Sequence, residues 1–207
     1  MTRSRKQLLA GSRAAGGFSL LELLLVLTIL IILTVMMESG LTTSTRNKAL
    51  ANCRKNLELM YLALSIYEKD NNGAFPALKD ARTPAEPLSL LVPKSTTTTE
   101  IFICPGSKDP SLPEAESFAG RKISYAYYMG RTTNDDPGAI LLSDAQVDAA
   151  PKLKGQQVFS EDGRVPGNNH GKMGGNLLWR SGEVTVSRPK ASRDLAYPPS
   201  VHLLNPP

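Results

Sequence analysis

AAGGFSLLELLLVLTILIILTVMM, residues 14–37, decides the fold. Two glycines, Gly16 and Gly17, close a short basic leader. From Phe18 to Met37 every residue is apolar except Ser19, Glu22, Thr28 and Thr34. A helix of about 20 residues is roughly 30 Å long, enough to cross the hydrocarbon core of a bilayer. Glu22 is the anomaly. A charge at the centre of an inserted helix costs about 2.5–3.5 kcal/mol on insertion scales, so this acid needs a partner or a task. A conventional secretory signal would have a core of about 7–15 residues with a small-residue cleavage site after it. Here Ala14-Ala15-Gly16 precedes the core instead. A plain signal anchor accounts for the length of the run but not for Glu22 or the glycine pair.

The segment GGFSLLELL resembles the class III signal of type IV pilins and type II secretion pseudopilins. In that family a basic leader ends in Gly, an aromatic opens the mature chain, Glu is its fifth residue, and a long apolar run follows. Here those positions are Gly17, Phe18, Glu22 and the run to Met37. The resemblance implies cleavage between Gly17 and Phe18 by a prepilin peptidase, N-methylation of Phe18, and assembly of the helices into a filament. The implied partners are other copies or related pilin subunits, the peptidase, an inner-membrane assembly platform and membrane lipid. The implied location is the bacterial inner membrane, single-pass, with the C-terminal body outside the cytoplasm and a periplasmic or surface filament after assembly. A pseudopilus subunit of a type II-like secretion system is the first reading. A type IV pilus subunit, or an uncleaved single-span anchored extracytoplasmic binding protein, is the alternative. Cleavage would free an amine at Phe18, and the Glu22 of a neighbouring copy would be its counter-ion in low dielectric.

Charge points the same way. The 207 residues carry a formal net charge of +5, but Arg3, Arg5, Lys6 and Arg13 all sit in the leader, so the rest is nearly neutral. That pattern is a positive-inside signal, not a nucleic-acid footprint. The expected divisions are a leader at 1–17, a transmembrane or assembly helix at 18–37, an amphipathic continuation at 38–72, and a globular pilin-like head with a proline-rich tail at 73–207. The composition shift at Met37/Glu38 marks the clearest boundary. The two cysteines, Cys53 and Cys104, are too few for a disulfide scaffold or a cysteine zinc site. A single bridge between them is chemically allowed outside the cytoplasm, and it would contribute about 4 kcal/mol by loop closure. Two separate buried thiols are the alternative, and the sequence leaves both open.

The fold class expected is α+β, a long N-terminal helix on a small antiparallel sheet. Leu50, Cys53, Leu57, Met60, Tyr61, Leu64 and Tyr67 recur at three- and four-residue steps and predict one buried helical stripe. Ser39-Gly40 is a weak point where a kink or looser turn is expected, and Asp70-Asn71-Asn72-Gly73 is a stop. A short helical turn is expected over Glu86–Leu91. Strand-like runs follow at 100–104, 122–129, 138–143, 174–179 and 182–187, the last two joined through Ser181-Gly182 as a hairpin. They predict three to five strands packed on the stripe. The tail from Arg188, rich in proline, reads as irregular.

The stretch CRKNLELMYLALSIYEKDNNGAFP also resembles the segment after the membrane helix in the planctomycete pilin-like proteins called the H-x9-DG family. Ile103-Cys104-Pro105 and Ser124-Tyr125-x-Tyr127 match that family's spacing. Its namesake histidine would be His170, but Ser181 stands where the family has Asp.

No catalytic constellation emerges, and the expectation is a non-enzyme. His170 and His202 are the only histidines. Neither sits in a triad or a paired-ligand spacing, and His170 reads as a loop histidine bonding the backbone. GKMGG at 171–175 lacks phosphate-loop spacing. No cofactor is expected apart from calcium, for which Asp135, Asp136 and Asp144 are weak oxygen-ligand candidates. Solvated loop acids are the plainer reading of the three.

Overall fold

The computed structural model describes Gly17 and residues 19–207, with the backbone alone at 37–43. Residues 1–16 and Phe18, and with them the leader and the expected cleavage product's first residue, lie outside the described residues. The chain divides into two compact units, residues 1–43 and 44–207.

Helix α1 spans Leu20–Asp70. No proline interrupts it, and its first half is dominated by leucine and isoleucine. The helix is assigned without a break through Ser39 and Gly40, so the expected weak point does not end it. Its stop is as expected. Asn72 and Gly73 adopt left-handed conformations, and Gly73 N–H donates to the Glu68 carbonyl at 2.9 Å. This ties off carbonyls the last turn leaves open.

In the first unit the large apolar side chains from Leu20 to Met36 are all exposed, from 43% at Val26 to 83% at Leu20. The hydroxyls of Thr28 and Thr34 donate to the Leu25 and Ile31 carbonyls, each at 2.8 Å. They thus add no unmet donor to the apolar surface. Among the described residues no helix is long and apolar enough to cross a membrane.

The second unit holds the stripe. Cys53, Leu57, Met60, Ala63 and Leu64 are buried, with Tyr61 and Tyr67 partly so. Two short elements follow: helix α2, Ala85–Leu88, and a 3-10 turn over Ser89–Leu91, where one helical turn was expected. The strand expected at 100–104 is instead a 3-10 turn over Glu100–Phe102. Its apolar residues serve as a plug. Phe102 packs against the Phe118 ring at 4.6 Å, and Ile101 is buried beside it in the same core. A short apolar run does not by itself separate strand from turn.

The sheet has five strands among the described residues, in the order β4-β3-β2-β1-β5, every pair antiparallel. They are β1 Tyr125–Met129, β2 Ile140–Asp144, β3 Gly175–Trp179, β4 Val184–Ser187 and β5 His202–Leu204. The first three are buried at every residue. Alternation assigns one face to the helical stripe: Tyr125, Tyr127, Met129, Leu142, Leu178 and Val184 join its core. The opposite face, with Ala126, Tyr128, Ile140, Leu177 and Trp179, builds a second core. What covers that face is the tail. Ala191, Leu195, Val201 and Leu203 are buried there, and β5 pairs with β1 through Tyr128 and Leu203. The tail is irregular over most of its length, as expected, and lies along the body as a packed layer, with β5 closing the β1 edge. Its prolines restrict the path between contacts while its few apolar residues carry the burial.

Candidate functional site

Two places bear on function. One is the exposed apolar run of α1. Gly17 is exposed, with nothing near the position a Cβ would take. Glu22 lies in the first turn of α1, exposed among leucines, and no described residue pairs with its carboxylate. An acid near a helix N-terminus gains some support from the macrodipole, about 0.3–1 kcal/mol. That is less than the cost of placing it in lipid.

The other place is buried in the second unit. Cys53 on α1 and Cys104 after the 3-10 turn are joined by a disulfide, with Cα atoms 5.4 Å apart. The structure thus adopts one of the two arrangements the sequence left open. Two more residues meet these sulfurs. His170, in the loop before β3, places Nε2 3.5 Å from Cys104 Sγ and 3.1 Å from Asp144 Oδ2. Asp144 ends β2. The ligand atoms of Cys53, Cys104, Asp144 and His170 all lie within 4.8 Å of one another, and all four residues are buried.

The polar supports of this cluster are specific. Asp144 Oδ2 accepts the Asn176 backbone N–H at 2.7 Å and its side-chain amide at 3.0 Å. Asp144 Oδ1 accepts the Asn169 amide at 3.3 Å. The Gly106 backbone N–H donates to Cys104 Sγ at 3.2 Å. His170 Nδ1 is buried with no hydrogen-bond partner. Gly106 is glycine for a steric reason. A Cβ there would overlap the Asn169 carbonyl and lie 2.9 Å from His170 Nδ1.

Beside the cluster a cleft of about 610 Å³ opens to solvent. Gly106, Lys108, Asp109, Lys122, Ser124 and Asn169 are among the residues of its wall. Asp109 accepts from Ser124 Oγ at 2.7 Å and pairs with Lys122 at 3.4 Å.

His170 is therefore not the backbone-bonding loop histidine expected; its ring faces a carboxylate and a sulfur. Asp144 is separated from the other calcium candidates by its use. Asp135 Oδ2 accepts the Thr132 N–H at 2.6 Å and Asp135 Oδ1 the Arg131 guanidinium at 3.3 Å. Asp136 accepts the Gly138 N–H at 2.6 Å. These two acids shape the β1–β2 connection, while Asp144 faces sulfur and nitrogen. The four-residue cluster has no linear signal, because its members are spread from 53 to 170. Its one trace in the sequence was the Cys and His positions of the second resemblance.

The hairpin turn between β3 and β4 closes through Ser181-Gly182. Gly182 has φ +85, and its N–H returns to the Trp179 carbonyl at 2.9 Å.

No protein-family model matches the chain, and neither curated proteins nor solved structures give a match.

Proposed function

We propose that the chain is a pilin-like structural subunit of a type II secretion-like pseudopilus, processed between Gly17 and Phe18 and assembled through its N-terminal helix. The observation that carries this reading is the exposed apolar surface of Leu20–Met36 with the single acid Glu22 near its start. So much apolar area on one segment calls for lipid or a like surface. An acid within it calls for a cation, and a processed N-terminus supplies one on each neighbouring copy. Staggered parallel helices would then pair Glu22 of one subunit with the Phe18 amine of the next, which fixes register as well as contact. Three further exposed side chains on α1, Leu59, Leu62 and Ile66, recur at three- and four-residue spacing on the side away from the stripe. They form a short apolar patch available to adjacent subunits. The role is mechanical, and the partners are other copies or related pilins, the processing peptidase, the assembly platform and lipid. The location that follows is the bacterial inner membrane, with the C-terminal body outside the cytoplasm.

The test separates insertion from assembly. Glu22→Ala is compared with the wild type in the native membrane for membrane fractionation and for cross-linked multimers. The account expects equal fractionation and a loss of multimers of at least tenfold. Multimers at wild-type level in the variant would refute the pairing.

The cleft beside Gly106 favours a second reading, an anchored binding protein, since its volume is in the range of small-ligand sites. That reading expects lone, uncleaved monomers in the membrane.

A further inference from the structure

We propose that the thiol form of this chain binds one zinc ion through Cys53, Cys104, Asp144 and His170, so that metal and disulfide are alternative occupants of the same buried site. This stands apart from the filament reading and does not need it. The starting point is a mismatch between the disulfide and its surroundings. A disulfide asks nothing polar of its neighbours, yet a carboxylate and an imidazole, 1% and 0% exposed, lie against these sulfurs. Burying two such groups is unfavourable unless something compensates them.

Their mutual contact and the Asn176 and Asn169 donors offset part of that cost, and a divalent ion in contact with both groups offsets the rest. The four side chains are of the types that hold zinc in closed tetrahedral sites. Bond lengths of about 2.0–2.3 Å put the ligand atoms of such a site roughly 3.3–3.8 Å apart. Here His170 Nε2 is already 3.1 Å from Asp144 Oδ2 and 3.5 Å from Cys104 Sγ. All four ligand atoms fall within a 4.8 Å sphere of mutual distances. Opening the S–S bond lets the two sulfurs separate to the spacing an ion requires. The supports also suit a metal. Asn176 and Asn169 orient the carboxylate, and the Gly106 N–H donates to the Cys104 sulfur, as second-layer groups do around bound metals. Two sulfurs and an imidazole select a borderline-soft ion over calcium or magnesium, which take oxygen.

The conversions balance as follows. A dithiol reductant delivers two electrons and two protons to the Cys53–Cys104 bond, giving two thiols, and closes to its own disulfide. Zinc then displaces both thiol protons to solvent. In the other direction a disulfide oxidant takes two electrons from the thiolates, accepts two protons as it becomes a dithiol, and the ion is released. A newly made chain carries thiols and enters the cycle at the metal-binding form.

The experiment uses the full chain in detergent, reduced with a dithiol that is then removed without air. Cobalt(II) is titrated, followed by zinc. The expected result is thiolate-to-cobalt charge-transfer absorption that saturates at one equivalent and is abolished by one equivalent of zinc. The oxidised chain should show none. Asp144→Asn and His170→Gln, each first shown to fold in the oxidised form, should weaken binding at least tenfold. Should reduction unfold the chain, one equivalent of zinc must restore its far-ultraviolet circular dichroism. The proposal is overturned by a reduced, folded chain with no charge-transfer band. It is equally overturned by zinc that fails to restore a reduced, unfolded chain, or by both variants binding as tightly as the wild type.

Discussion

Asn176 donates twice to one oxygen of Asp144, from its backbone N–H at 2.7 Å and its side-chain amide at 3.0 Å. The same amide nitrogen reaches the Leu50 carbonyl at 3.1 Å, so one side chain ties β2, β3 and α1 together. Asn176→Ala should destabilise the fold by about 1–3 kcal/mol, because a buried carboxylate loses a donor. Asn176→Asp should cost more, since it sets a second carboxylate against Asp144. Urea unfolding checks both. The midpoint should fall in that order, with the slope unchanged for the alanine variant.

The Cys53–Cys104 bridge joins the helix to the loop after the 3-10 turn across a sequence separation of 51. Replacing both cysteines with serine should cost about 4 kcal/mol, most of it from the freed unfolded chain. The comparison is between the oxidised wild type and the double variant in urea. A loss under about 1 kcal/mol would mean the bridge adds little to a core that already holds α1.

Gly182 sits where a Cβ would lie 2.7 Å from the Tyr61 ring, with φ +85. Gly182→Ala should cost about 1–2 kcal/mol from the left-handed backbone alone, and more if Tyr61 must shift. Ser181, next to it, is exposed. Ser181→Asp, which places a carboxylate before Gly182, should change stability by less than about 0.5 kcal/mol. Thermal melts of the two variants separate the steric role of the glycine from any role of the preceding carboxylate.

Acid sensitivity has a named local contributor. Lys152 Nζ donates to both oxygens of Asp148, at 2.6 and 2.7 Å, and the Ala150 N–H adds a third bond at 2.7 Å. The Lys152 hydrogen bond, foremost, holds the Asp148 carboxyl below the usual carboxylate range. A lowered folded value means the stability is present above the unfolded value, about 3.9, and is lost as pH falls through the folded one. Asp148 is more than half exposed, so the gain is of the order of a surface pair, about 0.5 kcal/mol. Asp148→Asn should be less stable than wild type by this amount at neutral pH. The gap should hold down to about pH 5 and close below about pH 4.

Much of the second unit was legible in the residues. The stripe from Cys53 to Leu64 has a helical period and is buried as that period requires. Asn72-Gly73 ends α1, and the Ser181-Gly182 turn joins β3 to β4, because left-handed positions leave a mark in residue type. Glu100–Cys104 misled because four apolar residues after Glu100 carry no period long enough to tell a strand from a plug of packed rings. The tail was legible as irregular chain, but its β5 strand and its burial were not. Its prolines advertise irregular backbone, while the burial comes from Leu195, Val201 and Leu203, spaced too widely to form a pattern. Strands β1, β2 and β3 are buried at every residue, polar Ser143, Asp144 and Asn176 included, and the cover on the second face was the tail. The members of the cluster around Asp144 were named singly in the sequence, but their meeting was not legible, because separate parts of the chain bring them together.

The central claim concerns residues 14–22, and the mass of the mature N-terminus tests it most directly. The full chain is expressed together with a prepilin peptidase, recovered from the membrane, and its first peptide measured by mass spectrometry. The account predicts a chain that begins at Phe18 and carries one added methyl group on its amine. A chain that still begins at Met1 under conditions where a control prepilin is cut would contradict it.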